Sequence, residues 1–397
     1  MKITQAESVH ADGGYRTCSF LKLSTDEGLA GWSEYYDSFS GARIDPLIQD
    51  FARHAIGMDP RQFGRVSETL LATTRLAAGG LAQQAVAAIE NACLDIAGKA
   101  AGLPVHTLLG GPLRDRVPVY WTHCGSYRVG PREPFYTGEL GYPPIRKMDD
   151  LTAVAREAVT RGFRAVKTNP VFFDRDKPYF FSGGFRIAPG FLDRSITERQ
   201  LAQIEEQMAA YREAVGPDIG LMLDVSFSQR TEGYLRMAHR LEHLDLAWLE
   251  VDINDPDALG FIRRNCRTPI ASLESLHGIA EYRPFLQGQT VDTCIVDPMW
   301  NGVWQSARIA AFADAHETTF APHNPVGELG TLMSLHLSAA VPNLRIMELR
   351  VDEAPWTRDY LTHPPEIEDG HMRVPERPGW GTEMNEEELR ARPPRTR

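Results

Sequence analysis

From residue 117 onward the chain alternates, eight times over, a short apolar run with a longer stretch of helical period. The runs fall at 117–121, 165–168, 220–224, 247–250, 269–273, 293–297, 318–322 and 344–348. Strands alternating with amphipathic helices predict a parallel sheet, and eight repeats suit a closed (β/α) barrel better than a doubly wound sheet. Side chains at the carboxyl ends of barrel strands converge on one face, so the residues that end these runs are the ones to read for chemistry.

The segment before the barrel has a different rhythm. Residues 3–10, 15–23 and 29–36 alternate as strands do, and Ala11-Asp12-Gly13-Gly14 and Thr25-Asp26-Glu27-Gly28 supply the turns of an antiparallel meander. Helical period takes over from about residue 42 and ends in an Ala-rich stretch over 80–97. The predicted organisation is an α+β capping domain over 1–111, a (β/α)7β TIM-type barrel over 112–355, and a tail over 356–397 that packs back on the cap. One connection is unusually long, the aromatic and Gly-rich stretch between Asn169 and Ser195. Leaving the catalytic end of a strand, it is a candidate lid.

Charge and cysteine usage exclude several classes of partner. With 42 Lys and Arg against 53 Asp and Glu the net charge is -11, which disfavours nucleic acid and anionic membrane surfaces. The five cysteines are odd in number and scattered, as expected of reduced thiols in a cytoplasmic protein. The amino terminus lacks an apolar stretch of signal-peptide length, and no membrane-spanning apolar run occurs.

Three consecutive runs end in acid: Leu223-Asp224, Leu249-Glu250 and Leu273-Glu274, spaced 26 and 24 residues apart, about one β/α repeat each. Three carboxylates meeting in a partly dry cleft repel one another unless a cation joins them, and an all-oxygen set favours a hard ion such as Mg²⁺. The next two runs end in Asp297 and His323. An Asp against one imidazole nitrogen fixes the tautomer and raises basicity, leaving the other nitrogen to move a proton. Lys167 and Asn169, two apart at the end of the second run, face one way, and the cationic Lys suits a substrate carboxylate. Glu348 ends the eighth run.

With these residues on the page, the chain resembles the enolase superfamily, specifically its mandelate-racemase-like subgroup. The resemblance rests on the cap and barrel order, the stretch Ala88 to Lys99, the Asp224, Glu250 and Glu274 set, the Asp297 and His323 pair, Glu348, and a closing segment with Pro378-Gly379-Trp380-Gly381. It implies Mg²⁺ on the three carboxylates and abstraction of the proton α to a substrate carboxylate, giving an enediolate to which Glu348 hydrogen-bonds. It also implies a homo-oligomer, a dimer or octamer, and places the substrate-choosing loops at Ala11 to Gly14 and at Tyr35 to Gly41, which includes Tyr36.

Departures narrow the reaction. Racemases of the group carry Lys-x-Lys where this chain has Lys167-Thr168-Asn169, so the second base is missing. Lys-x-Asn together with His323-Asn324-Pro325-Val326-Gly327 looks most like acid-sugar dehydratases of the galactonate dehydratase type. Asn169 and Asn324 are then expected at the substrate, and Trp300 is placed to stack on a sugar face. Those relatives carry a His acid two residues after the first metal carboxylate, where this chain has Ser226. Either His323 acts first as base and then as acid, or a lid residue such as Tyr179 or Arg175 assists. Leu273 stands where a Gly is expected before the third carboxylate. The leading expectation is a Mg²⁺-dependent dehydratase of an aldonate or aldarate; the alternatives are a cycloisomerase or lyase of a sugar lactone or anhydro-sugar acid, and a catalytically degenerate sugar-acid-binding barrel. His239 and His243 are expected to face solvent, and Trp304 either to stack on a sugar face beside Trp300 or to pack in the next helix.

Overall fold

A computed structural model describes residues 1–37, 43–181, 194–325 and 327–395. Strands β1 (Ile3–Asp12), β2 (Thr17–Thr25) and β3 (Ala30–Tyr35) form the antiparallel meander. Helices α1 (Asp45–Ala55), α2 (Phe63–Thr73) and α3 (Gly80–Ala101) pack against it. The small side chains of α3 let β3 approach closely: a Cβ on Gly31 would lie 2.2 Å from the Ala92 carbonyl oxygen. A short α4 (Val105–Leu108) then leads to the barrel.

In chain order the remaining elements are β4 (Arg116–Trp121), α5 (Met148–Thr160), β5 (Ala165–Thr168), β6 (Val171–Phe172), β7 (Tyr179–Phe180) and α6 (Glu198–Val215). There follow β8 (Gly220–Asp224), α7 (Thr231–Leu241), β9 (Trp248–Glu250), α8 (Pro256–Arg264), β10 (Ile270–Ser272) and α9 (Gly278–Gln287). The barrel closes with β11 (Thr293–Val296), α10 (Pro298–Asn301), α11 (Val303–Asp314), β12 (Thr319–Pro322), α12 (Glu328–Ala340) and β13 (Met347–Leu349). Parallel pairing runs β4-β5-β8-β9-β10-β11-β12, β13 pairs with β4, and a bridge from Phe320 to Leu344 joins the last gap. The fold is the expected (β/α)7β barrel with an α+β cap.

One apolar layer inside the barrel explains where the chemistry can stand. Tyr120, Ala165, Met222, Trp248, Ala271, Ile295, Ala321 and Ile346 form a buried cluster with one member from each barrel strand or its entry. Large rings meet small residues across it, and Tyr120 and Trp248 meet edge to face at 5.5 Å. Strand side chains two apart share a face. The next inward positions are therefore Thr122, Lys167, Asp224, Glu250, Asp297, His323 and Glu348, stacked directly above an apolar floor.

The tail, with β14 (Ile367–Glu368), β15 (His371–Arg373) and α13 (Glu386–Ala391), adds β15 antiparallel to β4 and returns to the cap. Trp380 is fully buried; its amide donates to Asp95 and its indole to the Trp32 carbonyl, at 3.0 and 2.8 Å. The long connection begins as a β6-β7 hairpin with Phe172 buried; residues 182–193 of the candidate lid lie outside the described residues, as do 38–41 of the second cap loop. All five cysteines are free. Among the described residues no helix is long and apolar enough to cross a membrane.

Candidate active site

Asp297 is the N-cap of α10 and is fully buried. Its Oδ1 accepts the amides of Met299 and Trp300 at 2.7 and 3.1 Å, and its Oδ2 meets His323 Nδ1 at 2.8 Å. Two backbone donors and one imidazole saturate the carboxylate, so His323 holds its proton on Nδ1 and turns Nε2 into the cleft. The Trp300 ring packs against the imidazole, with centroids 5.1 Å apart. Burial works against a charged His323, but Glu274, Glu348 and Asp297 outweigh it and push the imidazole up to about 10.

The cap helps to hold this pair. Asn91 of α3 donates to the Pro298 carbonyl at 3.0 Å and accepts the Val303 amide at 2.8 Å. Glu90 accepts the Trp304 amide at 3.1 Å and the Ser67 hydroxyl at 2.9 Å, and Gln83 donates to the Asn301 carbonyl at 3.2 Å. Three polar residues of α3 thus clamp the turn that begins at Asp297.

Opposite lie the carboxylates. Asp224 and Glu250 are register partners on β8 and β9, and Asp224 accepts both the amide and the hydroxyl of Ser226. Glu274 comes inward by a break in the strand period: Ala271 faces the lumen, and Leu273 takes φ +90°, which turns the following residue in. A left-handed non-Gly residue of this kind costs roughly 1–3 kcal/mol, so the backbone keeps the geometry a Gly would give freely. Glu274 Oε2 lies 3.3 Å from His323 Nε2.

Lys167 is buried and lies between two acids. Its Nζ reaches both oxygens of Glu250 at 2.9 Å and Glu348 Oε1 at 3.1 Å. Trp248 also donates its indole N–H to Glu250, at 3.0 Å. Glu348 is held low because Lys167, His323 and His123 outweigh its burial. Glu250 goes up, through burial and crowding by Asp224, Glu274 and Glu348 that Lys167 only partly offsets.

Among the described residues no three His, Cys, Asp or Glu side chains are placed close enough together to hold a metal ion. Protein cations stand beside the acids instead, Lys167 at Glu250 and His323 at Glu274. The donor set still fits a hard divalent ion: all oxygen, from three neighbouring strand ends, with more carboxylates than nearby cations.

Other expected residues sit differently. Asn169 bonds Ser126 at 2.8 Å, the Asp224 carbonyl at 3.2 Å and His123 at 2.7 Å. Asn324 is fully buried and gives its amide N–H groups to Thr331 and the Glu348 carbonyl, while its backbone N–H donates to Glu348 at 2.8 Å. These bonds brace the base loop from behind. Glu348 is engaged by Lys167 and by the Asn324 amide. Tyr36 donates to the Pro325 carbonyl at 3.0 Å, next to the base loop. Trp304 packs on Phe63 and Arg308, and His239 and His243 are exposed, as expected.

Two residues were not foreseen. His123, just past β4, stacks on Tyr127 at 3.7 Å and is pushed down to about 4 by burial, against the pull of Asp224. Asp252, two past Glu250, is buried with an Oδ1 that has no hydrogen-bond partner among the described residues. Period two could have found Asp252, as it found Asn169 after Lys167.

Comparison with known proteins follows the same outline. Residues 8–110 match the family described as mandelate racemase / muconate lactonizing enzyme, N-terminal domain, and residues 150–388 match the enolase C-terminal domain-like family. A D-xylonate dehydratase of Haloferax volcanii is 28% identical over 389 residues, covering 97% of this chain and 87% of its own length. A D-gluconate dehydratase of Thermoproteus tenax is 27% identical, over 94% of this chain and 70% of its own. A solved protein of Burkholderia xenovorans strain LB400, provisionally named an L-alanine-DL-glutamate epimerase and bound to magnesium and fumarate, superposes with a TM-score of 0.95. It is 39% identical and covers 100% of this chain and 97% of its own.

Proposed function

The chain belongs to the enolase superfamily, in its mandelate racemase/muconate lactonizing enzyme branch, and from that premise we propose that it is a lyase dehydrating an acid sugar, an aldonate or aldarate. The observation that carries the reading is the Asp297–His323 pair, whose free Nε2 faces the carboxylates of Glu274 and Glu348. Relatives named D-xylonate, D-gluconate and D-galactonate dehydratases support the substrate class.

The substrate carboxylate is drawn toward Lys167, and the α-carbon hydrogen faces His323 Nε2. The neighbouring charges of Glu274 and Glu348 hold a proton on His323, so it acts as base only once those charges are offset; its Nε2 then takes the α-proton while Asp297 holds Nδ1–H and stabilises the imidazolium. Asp224, Glu250 and Glu274 would hold Mg²⁺, which when bound would offset the second negative charge that develops on the substrate carboxylate. His323 then returns its proton to the leaving β-hydroxyl in a syn elimination. The C–O bond breaks, water departs, and the enol tautomerises to a 2-keto-3-deoxy acid. This order needs no separate acid at Ser226.

Incubating aldonates, aldarates and their lactones with the protein and Mg²⁺, and assaying 2-keto-3-deoxy acids, tests the proposal. Formation of such a product from at least one open-chain acid sugar is expected; consumption of a lactone alone would replace dehydration by cycloisomerisation. The 39% identical neighbour and the second imidazole, His123, favour a further reading as an epimerase. Inversion at the α-carbon without keto product would establish it.

A further inference from the structure

Beside the carboxylates, beyond β8 and β9, lies a cavity of about 340 Å³. Asp252 belongs to both places: it lines the cavity, and it stands two residues past Glu250 on the same strand end. The two strand ends are tied here, since the Asp252 amide donates to the Ser226 carbonyl at 3.2 Å. The cavity is thus lined by Phe227, the residue after Ser226, which stands where the dehydratase-like pattern would carry a His.

The wall has unspent groups of both kinds. Asp252 Oδ1 and Gln229 Oε1 are buried acceptors without a donor among the described residues, on side chains that are 2% and 1% exposed. Arg194 gives one guanidinium nitrogen to the Gln229 carbonyl at 2.8 Å, but its buried Nε has no partner among the described residues. Arg230, exposed at the rim, has no carboxylate within ion-pair distance among them. The remaining acid of the wall, Asp255, is used to cap α8, accepting the Ala258 amide at 2.9 Å. Buried polar atoms are ordinarily satisfied, so acceptors and guanidinium donors left open on one cavity describe what fills it. The occupant must offer hydroxyl hydrogens to Asp252 and Gln229 and an anionic group to the arginines.

Resting on the dehydratase reading, we propose that this cavity is the distal subsite of the substrate, and that the substrate is a dicarboxylate, an aldarate. One carboxylate goes to Lys167 and the other to Arg230 and Arg194, with the intervening hydroxyls on Asp252 and Gln229.

Calorimetry and steady-state kinetics with D-glucarate and galactarate, against D-gluconate and D-galactonate, test it. The diacids should bind at least about tenfold more tightly than the matched monoacids, and Arg230→Gln should erase about 10- to 100-fold of that preference. Arg230→Lys, which keeps the charge, should restore part of it. Monoacids bound as well as diacids, no diacid bound, or a preference untouched by Arg230→Gln would overturn the subsite. A diacid that binds in an Arg230-dependent way but yields no keto acid would instead overturn the dehydratase reading and leave the subsite standing.

Discussion

The wall built from β11 and β12 and the wall built from β8, β9 and β10 face the same cleft, yet they are completed differently. On the first, Asp297 has its acceptors filled by two amides and an imidazole, and α3 of the cap clamps the turn behind it. On the second, Asp224, Glu250, Asp252 and Glu274 crowd together, with Lys167 and His323 the nearby cations and one buried oxygen left open. The base is thus positioned by the protein's own hydrogen bonds, whereas the acid cluster holds more carboxyl groups than the two cations, Lys167 and His323, beside it. The first wall is a problem of positioning and the second one of charge compensation.

The largest break in this contrast comes from the base. His323→Asn should reduce turnover and exchange of the substrate α-proton by about 10³- to 10⁴-fold, read by NMR in deuterated buffer. Asp297→Asn should cost less, about 10²-fold, because it removes the partner of Nδ1 and leaves Nε2 in place. Exchange retained in His323→Asn would assign the base elsewhere, His123 first.

Next in size is the clamp of the dyad wall. Burial pushes Glu90 up to about 7, against the hydrogen bonds from Ser67, Gln305 and Trp304. The folded chain therefore keeps this proton to higher pH than the unfolded chain does, and stability falls as pH rises between about 4.5 and about 7. The full penalty, about 3 kcal/mol, is present above that window. Glu90→Gln preserves the acceptor and the shape but cannot ionise, so urea unfolding from pH 5 to pH 8 should lose this component of the slope. An unchanged slope would mean that Glu90 is not what titrates.

Smaller again is Asn91→Ala, which strands the Pro298 carbonyl and the Val303 amide. It should cost about 1–3 kcal/mol of stability and lower kcat more than it raises KM. An effect on KM alone would show that the cap touches substrate rather than the base turn.

The barrel and the cap were legible because their periods are strong: eight apolar runs, a meander, and acids at strand ends recurring once per repeat. The Asp297–His323 contact followed from neighbouring strand ends. What escaped the sequence lies where the strand alternation stops. His123 has φ +51° and Ser226 φ +44°, so neither direction can be counted from the strand before it. Glu274 faces inward only through the turned backbone at Leu273. Asn324 follows His323 and so points the other way, into the packing behind the loop, which a motif match does not reveal. Lys167 reads from its strand position either as a substrate clamp or as the partner of a neighbouring strand-end acid, and barrel closure sets which acids it meets, Glu250 and Glu348.

The contrast between the two walls is tested most directly by a calorimetric titration of Mg²⁺ into wild type, Glu250→Gln and His323→Asn. The account predicts one ion bound per chain by wild type and by His323→Asn, and binding lost in Glu250→Gln. Binding that survives Glu250→Gln, or that requires His323, would contradict it.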